Sequence, residues 1–212
     1  MSTDHLIAFL IASVVLVVVP GPTVVFVVSR ALAQGRSAVL RSVAGNSTGV
    51  AVLVLLVAFG LGSLVERSVL VFTLIKLVGA GYLVYLGVRT YRERGRLAEA
   101  LTASVPRVPG RRLYRQGVVV GLTNPKALVF FAAVLPQFVD RHGGNVPLRM
   151  AALGLLFVTL AMVLDGAWGL AAGSARDWFG RSPRRLAVLG GTGGVAMIGL
   201  GLGLAVTGRP QR

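Results

Sequence analysis

The 212-residue chain has no cysteine and only two histidines, His5 and His142. Disulfides, thiolate-bound metals and thiol redox chemistry are therefore excluded. Neither haem nor iron–sulfur ligation can be assembled, and two histidines cannot build a multi-histidine metal centre. Charge is scarce as well, at 14% Asp, Glu, Lys and Arg, whereas soluble domains carry roughly 25%. Acids are the rarest, seven in all, and Asp165 is the only one inside an apolar run. A lone intramembrane carboxylate cannot form the pair an aspartyl protease needs, and no serine has an intramembrane histidine beside it. The sequence points away from an enzyme and calls for no cofactor.

Apolar side chain is abundant instead: 55% of residues are hydrophobic and the mean hydropathy is +0.79. So much apolar surface excludes disorder. It is concentrated in six runs, at 6–29, 43–63, 69–88, 116–138, 148–172 and 186–207. A helix of about 20 residues crosses about 30 Å of hydrocarbon, so the fold class is an all-α polytopic membrane protein with six transmembrane helices. The whole chain, 1–212, reads as one transmembrane transporter domain. The first run lacks a basic n-region and is about twice the length of a leader's apolar stretch, so it reads as a span.

The net charge of +15 would suggest nucleic acid in a soluble protein. Here the basic residues lie between closely spaced spans, which leaves no room for a nucleic-acid module. Their role is topology and contact with the anionic headgroups of the lipid bilayer. Fifteen Lys/Arg fall in the loops after spans one, three and five, and five fall on the other side. The positive-inside rule makes the long loop 89–116 cytoplasmic and puts both termini outside. That loop, expected to hold a short amphipathic helix and then an irregular linker, divides the spans three plus three. An odd number per half means that the halves cross in opposite senses, which suggests an inverted repeat.

Span one is interrupted by Pro20-Gly21-Pro22 and its counterpart, span four, by Asn124-Pro125. Proline removes a backbone donor and breaks the helix, yet suits the first turn of a new one. Asn124 reads as an N-cap for a helix starting at Pro125, and Gly21-Pro22 as a weaker version. Paired breaks in corresponding spans mark a transporter's binding site, and a half-helix N-terminus suits a carboxylate. The candidate substrate-binding residues are therefore Pro20, Gly21, Pro22, Thr23, Asn46, Lys76, Asn124, Pro125 and Lys126. Asp165 is a candidate proton-coupling residue, or the partner of Lys76 or Lys126 in a buried ion pair. Glycines spaced i, i+4 at 45/49, 117/121, 169/173, 190/194 and 199/203 suit close helix approach.

Several of these stretches resemble the LysE/RhtB family of bacterial amino-acid exporters. They are Pro20-Gly21-Pro22, Gly45-Asn46, Leu74-Ile75-Lys76 followed by 79–87, the run from Gly121 to Ala127, and Pro136-Gln137-Phe138. The resemblance covers nearly the whole chain. It implies an efflux protein of the bacterial inner membrane that exports amino acids or their derivatives, driven by protons. A passive channel is the rival, and a homo-oligomer is compatible with either.

Overall fold

The computed structural model describes residues 3–95, 106–139, 144–174 and 183–206, and the regular structure among them is helical. The first span is two helices, α1 (Thr3–Val18) and α2 (Pro22–Gln34), meeting at 52°. Pro20 and Pro22 both lack an N–H, and Gly21 between them is extended at φ −148°. The helix cannot pass through these three residues. Gly35 then turns the chain with φ +79°, a left-handed conformation that favours glycine. It leads straight into α3 (Arg36–Arg67). Ser68 caps α4 (Val69–Arg92) by accepting from the Val71 N–H at 3.2 Å.

The fourth span begins as α5 (Gly110–Leu122), restarts as α6 (Pro125–Val129), and ends in a π turn (Phe130–Val134) and a 3₁₀ turn (Leu135–Phe138). Unlike the first span, it reads as one segment, Gly110–Phe138. A single proline is bridged here by Asn124 N–H donating to the Gly121 carbonyl at 3.3 Å, so the interruption does not become a sharp bend. Helices α7 (Val146–Ser174) and α8 (Pro183–Val206) follow.

Four of these segments are long and apolar enough to cross a membrane, and a fifth counts if α1 and α2 form one span. In α8 the apolar part, Gly191–Val206, is shorter than that, so among the described residues the sixth expected span is not one of them. The helices overrun the apolar runs at several ends, and the central connection shrinks accordingly. Helix α4 continues to Arg92 and α5 starts at Gly110, inside what the sequence marked as loop. The amphipathic segment expected there lies outside the described residues. The visible part of that linker is tied to α2, with Gln34 donating to the Val108 carbonyl at 2.8 Å and accepting from its N–H at 2.9 Å.

Glycine seams set the helix pairing. On α3 and α5, Gly45 and Gly49 face Gly117 and Gly121 so closely that a Cβ on Gly117 would stand 2.6 Å from the Ser42 carbonyl oxygen. On α4 and α8, Gly87 and Gly194 face each other's carbonyls, each 2.7 Å from where a Cβ would be. The second seam also uses Gly201 against Ala80, a spacing of seven, whereas Gly199 faces open space. Helix α3 also packs on α7, and α7 on α1 and α2. A cluster of Phe9, Phe130, Phe131, Phe138 and Phe157, with centroids 5.0–6.1 Å apart, fills one side of the core. Large apolar side chains such as Leu70, Val78, Leu56 and Phe59 point outward, as a lipid-facing surface requires.

Candidate functional site

Where α2, α3, α6 and α7 converge lies a cavity of about 30 Å³. That is room for about two water molecules and too little for an amino acid. Its polar lining is Thr23, Asn46, Asn124, Lys126 and Asp165, and its apolar walls include Leu16, Val50, Phe157 and Ala161. All five polar residues are buried, Asn46, Asn124 and Asp165 to within 4% exposure.

The hydrogen bonds of the site run in one direction, and the helix cap sets that direction. Asn124 is the N-cap of α6, and its Oδ1 accepts from the N–H groups of Lys126 at 3.1 Å and Ala127 at 3.4 Å. Its amide nitrogen therefore points the other way and donates to Thr23 Oγ1 at 3.1 Å. The Thr23 hydroxyl has one proton, which it donates to Asn46 Oδ1 at 3.2 Å. Asn46 then donates its Nδ2 to Asp165 Oδ2 at 3.4 Å. Four helices thus contribute to a single donor chain that ends on Asp165, the one buried carboxylate among the described residues.

Lys126 enters the same cavity from α6 but bonds elsewhere. Its Nζ donates to the carbonyls of Leu16 at 2.6 Å and Val19 at 2.9 Å, at the broken end of α1. The sequence left open an ion pair between Asp165 and Lys76 or Lys126. Among the described residues, Lys126 instead uses its ammonium protons on backbone oxygens, while Asp165 accepts from Asn46. Lys76 is half-buried on α4 and does not line the cavity, so it is not part of this cluster.

The prolines act through the backbone. Pro20 is buried, Pro125 half-buried and Pro22 exposed, and none of them lines the cavity. Half-helix N-termini with free N–H groups were expected at both breaks. At α6 the first-turn donors are already taken by Asn124, so that end cannot offer them to a ligand. At α2 the cap is Gly21, which has no side chain to occupy the first-turn N–H groups. The sequence did not single out Leu16, although its carbonyl could have been found from spacing. The residue four places on is Pro20, which cannot supply the usual donor.

The fold and this site define a multi-pass membrane protein with a small buried polar site at the breaks of its helices. The LysE type translocator profile matches residues 14–208. The chain belongs to the LysE family of translocators and is not an enzyme. It is 36% identical over 200 residues to a membrane protein of Vibrio cholerae, covering 94% of this chain and 95% of that one. It is 30% identical over 189 residues to a homoserine/homoserine lactone efflux protein of Salmonella typhimurium, covering 89% and 90%. It is 31% identical over 161 residues to a leucine efflux protein of Salmonella choleraesuis, covering 74% and 70%. No solved structure matches it.

Proposed function

We propose that this protein is a secondary transporter that exports amino acids or amino-acid derivatives across the bacterial inner membrane and is driven by protons. The observation that carries the reading is the donor chain from Asn124 through Thr23 and Asn46 to Asp165, which lines a cavity beside two interrupted helices. The Asp165 carboxylate suits a substrate's ammonium group. The uncapped first turn of α2 suits its carboxylate. The small-molecule amino-acid substrates named for the Salmonella relatives support the same class.

Helix pairing supports an inverted 3+3 repeat. Span two packs on span four as span five packs on span one, and spans three and six pack on each other. The distribution of Lys and Arg supports a cytoplasmic central loop. Asp165 is the proton-coupling group of the proposal, because it is the one acid lining the cavity.

The test has two stages. A strain overproducing the protein is screened for growth against toxic amino acids and homoserine, which identifies the substrate. Uptake of that substrate into inverted vesicles is then measured with and without a proton gradient, normalised to inserted protein. Asp165→Asn is expected to abolish gradient-driven accumulation and to weaken exchange as well, because it removes the carboxylate proposed to hold the substrate ammonium. Gradient-driven accumulation at the parental level would remove Asp165 from the mechanism, and absence of counterflow in the parent would indicate a channel.

A further inference from the structure

We infer that the break between α1 and α2 is a monovalent-cation site whose occupant is the chain's own Lys126 ammonium, so that the carrier has no need of a free coupling cation such as sodium. The inference rests on the reading of the two breaks as a carrier site.

The argument begins with the backbone. In an unbroken helix the Leu16 carbonyl would accept from the N–H of residue 20, and the Val18 carbonyl from that of residue 22. Both positions are proline, which has no N–H. The break therefore strips donors from the last turn of α1, at the end of the helix that carries partial negative charge. Unwound carbonyls and half-helix C-termini of this kind are where transporters hold coupling cations. Here Lys126 Nζ sits 2.6 Å from Leu16 O and 2.9 Å from Val19 O. Gly21 lies against this contact: a Cβ there would stand 3.5 Å from Nζ, at ordinary van der Waals distance.

The charges of the cavity close without another ion. Its lining holds one ammonium, Lys126, and one carboxyl, Asp165, and its other lining residues do not titrate. If an ammonium merely sought the carboxylate, Lys126 would pair with Asp165 in the cavity they share. It lies on the carbonyls instead, where it also links the second half of the chain to the break in the first. Removing that positive charge would leave two carbonyl oxygens without a cation and, elsewhere in the same cavity, a carboxylate without a countercharge; hard oxygen donors of this kind suit a small cation.

The test measures binding and not transport, so it can fail while the export assay succeeds, or the reverse. Lys126→Met keeps the stem and deletes only the terminal ammonium. The full-length protein is purified, and thermal unfolding is followed in choline chloride, sodium chloride, ammonium chloride and methylammonium chloride at equal ionic strength. The parent and Lys126→Arg are expected to unfold at the same temperature in all four. Lys126→Met is expected to be less stable in choline and to gain about 5 °C in a saturable way with at least one small cation. Adding Asp165→Asn to Lys126→Met should abolish that gain. If Lys126→Met cannot be recovered from membranes, Lys126→Ala goes through the same comparison. A Lys126 variant indifferent to all four salts, or a parent that sodium stabilises as strongly, would overturn the inference.

Discussion

Thr23→Val cuts the donor chain at its midpoint while leaving its shape almost unchanged. The substitution replaces a hydroxyl by a methyl, and both residues are β-branched, so helix propensity at this position barely changes. What is lost is the Thr23 oxygen that accepts from Asn124 at 3.1 Å and donates to Asn46 at 3.2 Å. Two buried groups, Asn124 Nδ2 and Asn46 Oδ1, are then without their partner. A buried polar group left unsatisfied costs about 1–3 kcal/mol, while hydrogen bonds between membrane helices average about 0.6 kcal/mol by double-mutant cycles. The adjoining cavity of about 30 Å³ can admit about two waters to the orphaned groups, which favours the low end. The expected total is about 1–3 kcal/mol. Thr23→Ser keeps the hydroxyl and loses one methyl, about 0.8 kcal/mol at most. The assay is denaturant unfolding in mixed micelles, with export measured alongside. Thr23→Val within 0.5 kcal/mol of the parent, or Thr23→Ser as damaging as Thr23→Val, would refute the donor chain as a stabilising unit.

Gly121→Ala is expected to destabilise by about 1–3 kcal/mol through overpacking, because its Cβ would meet the Asn46 carbonyl and stand 3.0 Å from the Val50 nitrogen. Gly81→Ala, with open space around the added carbon, should be neutral or slightly stabilising; equal melting temperatures for the two variants would contradict the close-packed α3–α5 seam. Orientation is testable because the chain has no native cysteine. With a membrane-impermeant thiol reagent on intact cells, Ser2→Cys should label and Ser104→Cys should not, and the reverse pattern would invert the proposed topology.

The architecture was legible where the signal is additive along the chain. Hydropathy located the helices, and proline located both breaks. Proline alone did not foretell how unlike the two breaks are. Pro20 and Pro22 on either side of Gly21 bend span one by 52°, while Asn124 caps α6 and keeps span four in line. The N-cap role of Asn124 was readable from the Asn-Pro order. Its consequence was not, because the satisfied N–H groups of Lys126 and Ala127 remove that helix end as a ligand site. Lys76 and Lys126 looked equivalent as lone intramembrane cations. Only tertiary packing distinguishes them, since one lies on the half-buried α4 and the other reaches across the molecule to the end of α1. Small-residue spacing exposed the α3–α5 seam at i, i+4 but missed the α4–α8 seam, where Gly194 and Gly201 lie seven residues apart.

The same contacts indicate where the proposed carrier opens. A cavity of about 30 Å³ cannot hold an amino acid, so substrate enters only when walls separate. The walls differ in how they resist. Along α3–α5 and α4–α8, backbone meets backbone through glycine, and separating such a seam forfeits its packing along the whole helix. Where α7 meets α2 and α3 the glycine contact is with side chains and not backbone: Gly169 faces Val27 of α2 and Val39 of α3. The donor chain joins the helices by three side-chain hydrogen bonds, together about 2 kcal/mol at the intramembrane average, beside the two that Lys126 makes to the end of α1. A gap of a few kcal/mol between two conformations keeps the minor one accessible. The last bond of the chain, Asn46 to Asp165 at 3.4 Å, is also the longest. A substrate ammonium arriving at Asp165 would exchange a long neutral-donor bond for a shorter charge-assisted one. Opening along the line from Asn124 to Asp165 would therefore be favoured by the substrate itself, while the two glycine-welded pairs move as rigid units.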